Sequence, residues 1–169
     1  ITQRSYSDNC DHYIIQPLGL TNTYLYQDPS DKRPKTLYYK SRELDIPKAM
    51  TSFGADGGIV STSGDLLLFI ESFFTGKLFP LDYIDSMQVW NKIFSPLRSG
   101  IGIHLFELPR LFNPTGAIPH FIGHSGLSGA LAFYSPREKL YIAGTVNQLA
   151  RPDLSFRTMV KLTQRLLKR

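Results

Sequence analysis

The chain has 169 residues, 42% hydrophobic and 20% charged, with 19 Lys and Arg against 14 Asp and Glu, a net charge of +5. That is the size of one ordinary domain, and it buries enough surface to need no disulfide or metal staple. The single cysteine, Cys10, excludes a disulfide scaffold or Cys-rich zinc site, and no apolar run approaches the ~20 residues of a membrane span.

In chain order, Tyr6, Cys10, Tyr13 and Ile14 are spaced for a short helix within residues 3–15. Gln16-Pro17 is expected to end it, because the residue before proline avoids the helical region. A tight turn at Pro17-Leu18-Gly19-Leu20 follows, and Thr21-Asn22-Thr23 leads outward. Residues 27–48, with prolines at 29, 34 and 47, read as a long surface excursion with a short strand at 36–39. Gly54, Gly57 and Gly58 mark backbone that turns sharply or packs closely. Ser61-Thr62-Ser63-Gly64-Asp65 offers N-cap residues before Leu66, Leu67, Phe69, Ile70, Phe73 and Phe74, predicting a helix over 62–75 stopped at Gly76. A second helix is expected over 82–90.

Beyond Pro96 the pattern becomes β-like. Residues 100–106 read as a strand, Phe121-Ile122 enters the glycine-punctuated run 123–129, and 130–134 continues extended. Ser135-Pro136-Arg137-Glu138 is turn material before a β-rich run over 140–146, which together predict an antiparallel hairpin. A helix from about Asp153 closes the chain, with Arg157, Lys161, Arg165 and Lys168 on one face and Met159, Leu162 and Leu166 on the other. The basic face reads as solvated rather than as a nucleic-acid site, since no binding motif accompanies it. The fold class is α+β: an antiparallel sheet with covering helices.

Among residues able to carry chemistry, His120 and His124 have the spacing of two zinc ligands on a helix, but Pro119, Gly123 and Gly126 oppose a helix there. On a strand the two rings would stand about 13 Å apart, so no metal is expected. His12 and His104 each read as an isolated surface or satisfied core histidine. Gly123-His124-Ser125-Gly126-Leu127 falls short of the nucleophile elbow, with Leu127 in the last glycine position and no histidine after the serine. Glycines at 123, 126 and 129 suit an edge strand where another backbone or a ligand comes close, with His124 and Ser125 beside the opening; relief of packing in a plain strand is the equal alternative.

His124-Ser125-Gly126, the strand through Phe133-Tyr134-Ser135-Pro136, and the following strand ending at Asn147 resemble a C-terminal signature of the serine β-lactamase and penicillin-binding-protein-like family. The similarity is to its class C, esterase and D-alanyl-D-alanine carboxypeptidase branch. Residues 13–23, containing Pro17-Leu18-Gly19 and Thr23, are similar to that family's PLG turn. Gly57-Gly58-Ile59-Val60-Ser61-Thr62-Ser63-Gly64-Asp65-Leu66 resembles its glycine-pair helix entry. The four segments occur in order across nearly the whole chain.

The resemblance implies a second half of such a fold, with residues 1–169 forming the C-terminal part of one domain. It also implies that His124 shapes the electrostatics of a site, Ser125 hydrogen-bonds a substrate carboxylate or carbonyl, Gly126 keeps the strand open, and the Leu127 N–H is one of two oxyanion donors. Gly57, Gly58 and Asp65 fall to structure. The family's S-x-x-K nucleophile is absent, since no serine here has lysine three positions on, and Tyr6-Ser7-Asp8-Asn9 is one residue too long for Tyr-x-Asn. Both are expected upstream of Ile1, leaving no catalytic nucleophile in this chain and no turnover by it alone. The implied partners are a small-molecule or peptide substrate and either the missing N-terminal part or a second copy, with no cofactor and no nucleic acid. The implied setting is periplasmic, secreted or cell-envelope. A non-catalytic binding or regulatory module with the same fold is the alternative.

Overall fold

A computed structural model describes residues 2–168. Its first helical run is α1 (Tyr6–Cys10), a π turn (Asp11–Ile15) and α2 (Gln16–Leu18). The Ser5 hydroxyl accepts from the Asp8 N–H, and the Asp8 carboxylate accepts from the Ser5 N–H, closing a capping box. The helix does not stop before Pro17 as the sequence suggested. Gln16 keeps helical dihedrals and donates its N–H five residues back, to the Asp11 carbonyl. The wider π turn accommodates a residue that cannot donate and whose ring crowds the carbonyl four residues back. Gly19, left-handed at φ 64°, ends the run instead.

The surface excursion holds more order than its composition implied. Strand β1 (Tyr24–Leu25) pairs with β4 (Ile59–Val60), and the expected strand β2 (Leu37–Tyr39) forms an antiparallel ribbon with β3 (Arg42–Leu44), ahead of α3 (Pro47–Phe53). Two backbone bonds, Tyr38 N–H to the Asn147 carbonyl and Leu149 N–H to the Tyr38 carbonyl, tie this ribbon to the end of the main sheet. The Gln148 side chain completes the tie, accepting from the Lys40 N–H and donating to the Lys40 carbonyl.

Helix α4 (Ser63–Phe74) begins at Thr62, whose hydroxyl accepts from the Asp65 N–H, and closes at Thr75 just before Gly76. The Asp65 carboxylate reaches out of the helix to accept from the Asn22 N–H at 2.8 Å and the Thr23 hydroxyl at 2.9 Å. The turn after α2 is thereby pinned to the start of α4.

The main sheet has six antiparallel strands in the order β10-β9-β8-β7-β6-β5. They are β5 (Asn91–Phe94), β6 (Leu97–Ser99), β7 (His104–Phe106), β8 (Phe121–Ser125), β9 (Leu131–Ser135) and β10 (Leu140–Gly144). The predicted hairpin over 130–146 is β9 and β10. The helix expected over 82–90 is shorter, α5 (Asp82–Met87), because the chain turns into the β5–β6 hairpin that the sequence reading missed. The strand expected from Gly100 starts at His104, since Gly100 donates its N–H to the Ile103 carbonyl and residues 100–103 form a turn.

Alternation along the strands sends successive side chains to opposite faces. Phe106, Phe121, Leu131 and Phe133 meet Met159 and Phe156 of α6 (Asp153–Leu167) on one face. Leu105 and Ile122 meet Phe73 and Phe74 of α4 on the other, with Ile103, Met87 and Trp90. The result is three layers, helix, sheet and helix, with Phe121 and Phe133 fully buried between α6 and the strands.

The C-terminal helix covers the sheet as expected, but with a different face. Ser155, Met159 and Thr163 are buried, whereas Leu162 is 45% and Leu166 50% exposed. The buried stripe admits small polar residues because the Thr163 hydroxyl is satisfied by the Met159 carbonyl four residues back. Arg157, Lys161, Arg165 and Lys168 are exposed, as predicted.

Candidate active site

The residues singled out by the sequence, His124, Ser125, Gly126 and Leu127, lie where β8 leaves the sheet and turns toward β9. β8 is not an edge strand, because β7 and β9 flank it. Its pairing with β7 nevertheless ends at Gly123, while pairing with β9 runs on through His124↔Ala132 and Ser125↔Leu131. His124 and Ser125 are therefore bordered on one side only, and the edge character inferred from the glycines holds for these two residues.

Gly123 makes this possible by close packing. A Cβ at this position would run into the Ala132 carbonyl oxygen, and it would stand 2.7 Å from the Phe133 Cα. Only glycine lets β8 lie so close to β9. The turn that follows is closed by the Gly126 N–H on the Ala130 carbonyl at 2.8 Å and the Gly129 N–H on the Gly126 carbonyl at 3.0 Å. The Gln148 N–H donates to the Ser128 carbonyl at 3.0 Å, fastening the turn to the segment after β10.

A hollow of about 250 Å³ opens at this end of β8. Leu66, Phe69, Ile70 and Phe73 of α4 form its apolar wall, while His124 and Ser125 stand on the strand side. The Ser125 hydroxyl has no hydrogen-bond partner among the described residues, and neither has the N–H of Leu127, a residue 72% exposed at the tip of the turn beyond the hollow. The hollow thus combines an apolar wall with the uncommitted Ser125 hydroxyl, a composition suited to a small ligand that presents an oxygen atom beside an apolar group.

His104 corrects the sequence reading. It is neither isolated nor satisfied: its ring stacks on His124 with centroids 4.1 Å apart, and its buried Nδ1 has no partner. Burial in the first place, and the charge on His124 in the second, push its pKa below the usual imidazole value. The pairing followed from the register His104↔Gly123, which joins strands across an intervening connection whose length obeys no hairpin rule. His120 is exposed ahead of β8 and takes no part. No group of three or more His, Cys, Asp or Glu side chains able to hold a metal ion gathers among the described residues.

Elsewhere the ionisable groups serve structure. Asp31 accepts from Arg33 and Tyr24, which hold its carboxyl well below the usual range; burial first and the bond to Asp31 second push the Tyr24 phenol up to about 12, against the opposing charge of Arg33. Arg151, together with Arg157, keeps Asp153 down at about 2 at the start of α6. A larger groove of about 750 Å³ runs between α6 and strands β5 to β7, lined mainly by Phe94, Leu97, Phe106, Phe156 and Val160.

A helix-sheet-helix fold with a glycine-opened strand beside an apolar hollow is the architecture of the serine β-lactamase and penicillin-binding class. The Beta-lactamase family matches residues 1–163, and the chain belongs to that family. A D-stereospecific amidohydrolase from Streptomyces sp. is similar in structure at TM-score 0.70 and 22% identity, over 88% of this chain and 46% of that one. A D-amino acid amidase from Ochrobactrum anthropi SV3 gives 0.68 and 21% over 99% and 52%. EstCE1, a hydrolase with promiscuous acyltransferase activity, gives 0.66 and 19% over 91% and 50%. At these identities the likeness is one of fold, and the chain spans about half the length of each. No curated protein matches the sequence.

Proposed function

We propose that this chain forms one wall of an acyl-serine hydrolase site for small amides or esters, with β-lactams and D-alanyl peptides among the candidate substrates. The observation that carries the reading is the pair of uncommitted donors, Ser125 hydroxyl and Leu127 N–H, at the end of a strand that Gly123 lets pack closely on β9. In this reading Ser125 binds a substrate carbonyl or carboxylate. The Leu127 N–H faces the oxygen on which negative charge develops as the acyl carbon becomes tetrahedral, and one such donor is worth about 3 kcal/mol in the transition state. His124 sets the local charge, and the α4 wall receives the apolar part of the substrate.

The serine that is acylated lies outside these residues, because no serine here has the lysine three positions on that would activate it. The names of the similar structures, a D-stereospecific amidohydrolase and a D-amino acid amidase, favour an amide of a D-configured acyl group. β10 is the outermost strand of the sheet, with partners on one side only among the described residues. Further polypeptide from the same protein adds there in this reading.

The experiment is intact-mass analysis of the whole protein after incubation with a reactive β-lactam, followed by peptide mapping. The expected result is one adduct on a serine outside these 169 residues. An adduct on Ser125 would overturn the assignment of the nucleophile. No adduct, with the ligand bound and released unchanged, would favour a non-catalytic binding module on the same fold.

A further inference from the structure

The two stacked imidazoles have few neighbours that could tune them. Across the β6–β7 ladder His104 faces Ser99, whose hydroxyl is engaged by the Gly100 carbonyl. Across the β8–β9 ladder His124 faces Ala132. The α4 side chains on the hollow are Leu66, Phe69, Ile70 and Phe73, and the loop before β7 contributes Gly102 and Ile103. None of these ionises, and His124 is the charge that acts on His104.

The two rings are not equivalent. His124 is exposed at the hollow, whereas His104 is half-buried and its Nδ1 touches neither solvent nor an acceptor. An imidazolium carries N–H donors on both nitrogens and pays a desolvation cost where one finds no acceptor. Protonation of His104 is therefore costly, and a charge on His124 opposes it further. His104 stands opposite Gly123 in the ladder, one residue before His124, and its ring reaches the His124 ring to stack on it at 4.1 Å.

We infer that His104 is a positioning residue for this site: its half-buried ring fixes the His124 ring by stacking beside Ser125. The lowered pKa of His104, caused by burial first and the His124 charge second, agrees with a neutral ring in that stack. The use a substrate makes of the fixed His124 ring rests on the hydrolase reading above; the stack does not.

The test is a histidine NMR titration of the whole protein, labelled at the imidazole carbons and recorded without substrate. Signals are assigned with His104→Phe, His104→Ala and His124→Asn variants. The His124 ring protons are expected upfield of their free position in the native protein and in His104→Phe, and to return to it in His104→Ala. In His124→Asn the His104 midpoint is expected to rise by about 0.5 to 1 pH unit, the size of one unit charge at this separation in a water-like medium. Identical His124 shifts in the native protein and His104→Ala would overturn the stack. A His104 midpoint unmoved in His124→Asn would overturn the contact between the rings. That reading needs no variant at position 104, so a folding defect there leaves the proposal testable. Loss of the β-lactam adduct would refute the hydrolase reading while leaving these shifts in place.

Discussion

Asp65 offers the sharpest test of how the helix-entry segment works. Its carboxylate accepts two bonds from a segment more than forty residues earlier, the Asn22 N–H and the Thr23 hydroxyl. It also stands in the first turn of α4, where negative charge meets the positive end of the helix. Hydrogen bonds to a charged group are worth about 1.5–3 kcal/mol each when buried. These are only partly covered, and Thr23 keeps Ser61 as an alternative partner at 2.7 Å, so the lower end applies. With the smaller helix-dipole contribution, Asp65→Ala is expected to cost about 2–3 kcal/mol, and Asp65→Asn, which retains a neutral acceptor, about half of that. Urea unfolding of the whole protein measures both. The expected thermal shift for Asp65→Ala is a lowering of about 5–10 °C. Hydrogen bonds from Asn22, Thr23 and Thr62 outweigh the opposing effect of burial and hold the Asp65 pKa below the ordinary aspartate value. Its contribution is therefore full above that ordinary value and is lost as the pH falls through the lower folded value. The native protein and Asp65→Asn should converge in stability in acid. An Asp65→Ala variant within about 0.5 kcal/mol of the native protein at neutral pH would refute the reasoning, since that is the scatter of ordinary surface substitutions.

Other substitutions probe the sheet and the hollow. Gly123→Ala drives a methyl group into the Ala132 carbonyl, which only a backbone shift relieves; a loss of about 1–3 kcal/mol in urea unfolding and weaker β-lactam acylation are expected together. Met159→Ala empties a site that is 1% exposed between Phe106, Phe121 and Phe133, and should cost about 2–5 kcal/mol in the same assay. Ser125→Ala should leave the unfolding midpoint unchanged while slowing acylation by about 10- to 100-fold, the worth of a hydrogen bond to a charged oxygen.

The sequence made the local features legible and left the long-range ones hidden. Thr62 before an apolar helix, the turn between two β-rich runs, and the amphipathic last helix are each decided by neighbours a few residues away, and the structure has all three. Pro17 misled because proline's preference for ending a helix is offset by the π turn before it, in which Gln16 keeps helical dihedrals and donates five residues back. Of the expected apolar face Met159 is buried, but Leu162 and Leu166 are not, because the sheet meets the stripe that runs through Ser155, Met159 and Thr163. At the hollow, His124 to Leu127 were found as a local motif. The stacking of His104 depends on a strand register set across the 107–120 connection, and no local rule fixes it.

The clasp between Lys40 and Gln148 closes a loop of 108 residues with side-chain bonds at a solvent-exposed site. A contact across so long a span gains its enthalpy only after the chain between has already folded, so the β2–β3 ribbon should be among the last pieces to lock and the first to open. Hydrogen exchange at Tyr38, Lys40 and Leu149 would then report a partial opening well below the global unfolding free energy. Gln148 also holds the Ser128 carbonyl, so the same opening loosens the turn that presents Leu127. The distant ribbon and the turn at Ser128 are thus fastened at one residue, Gln148, through its side chain and its backbone N–H respectively.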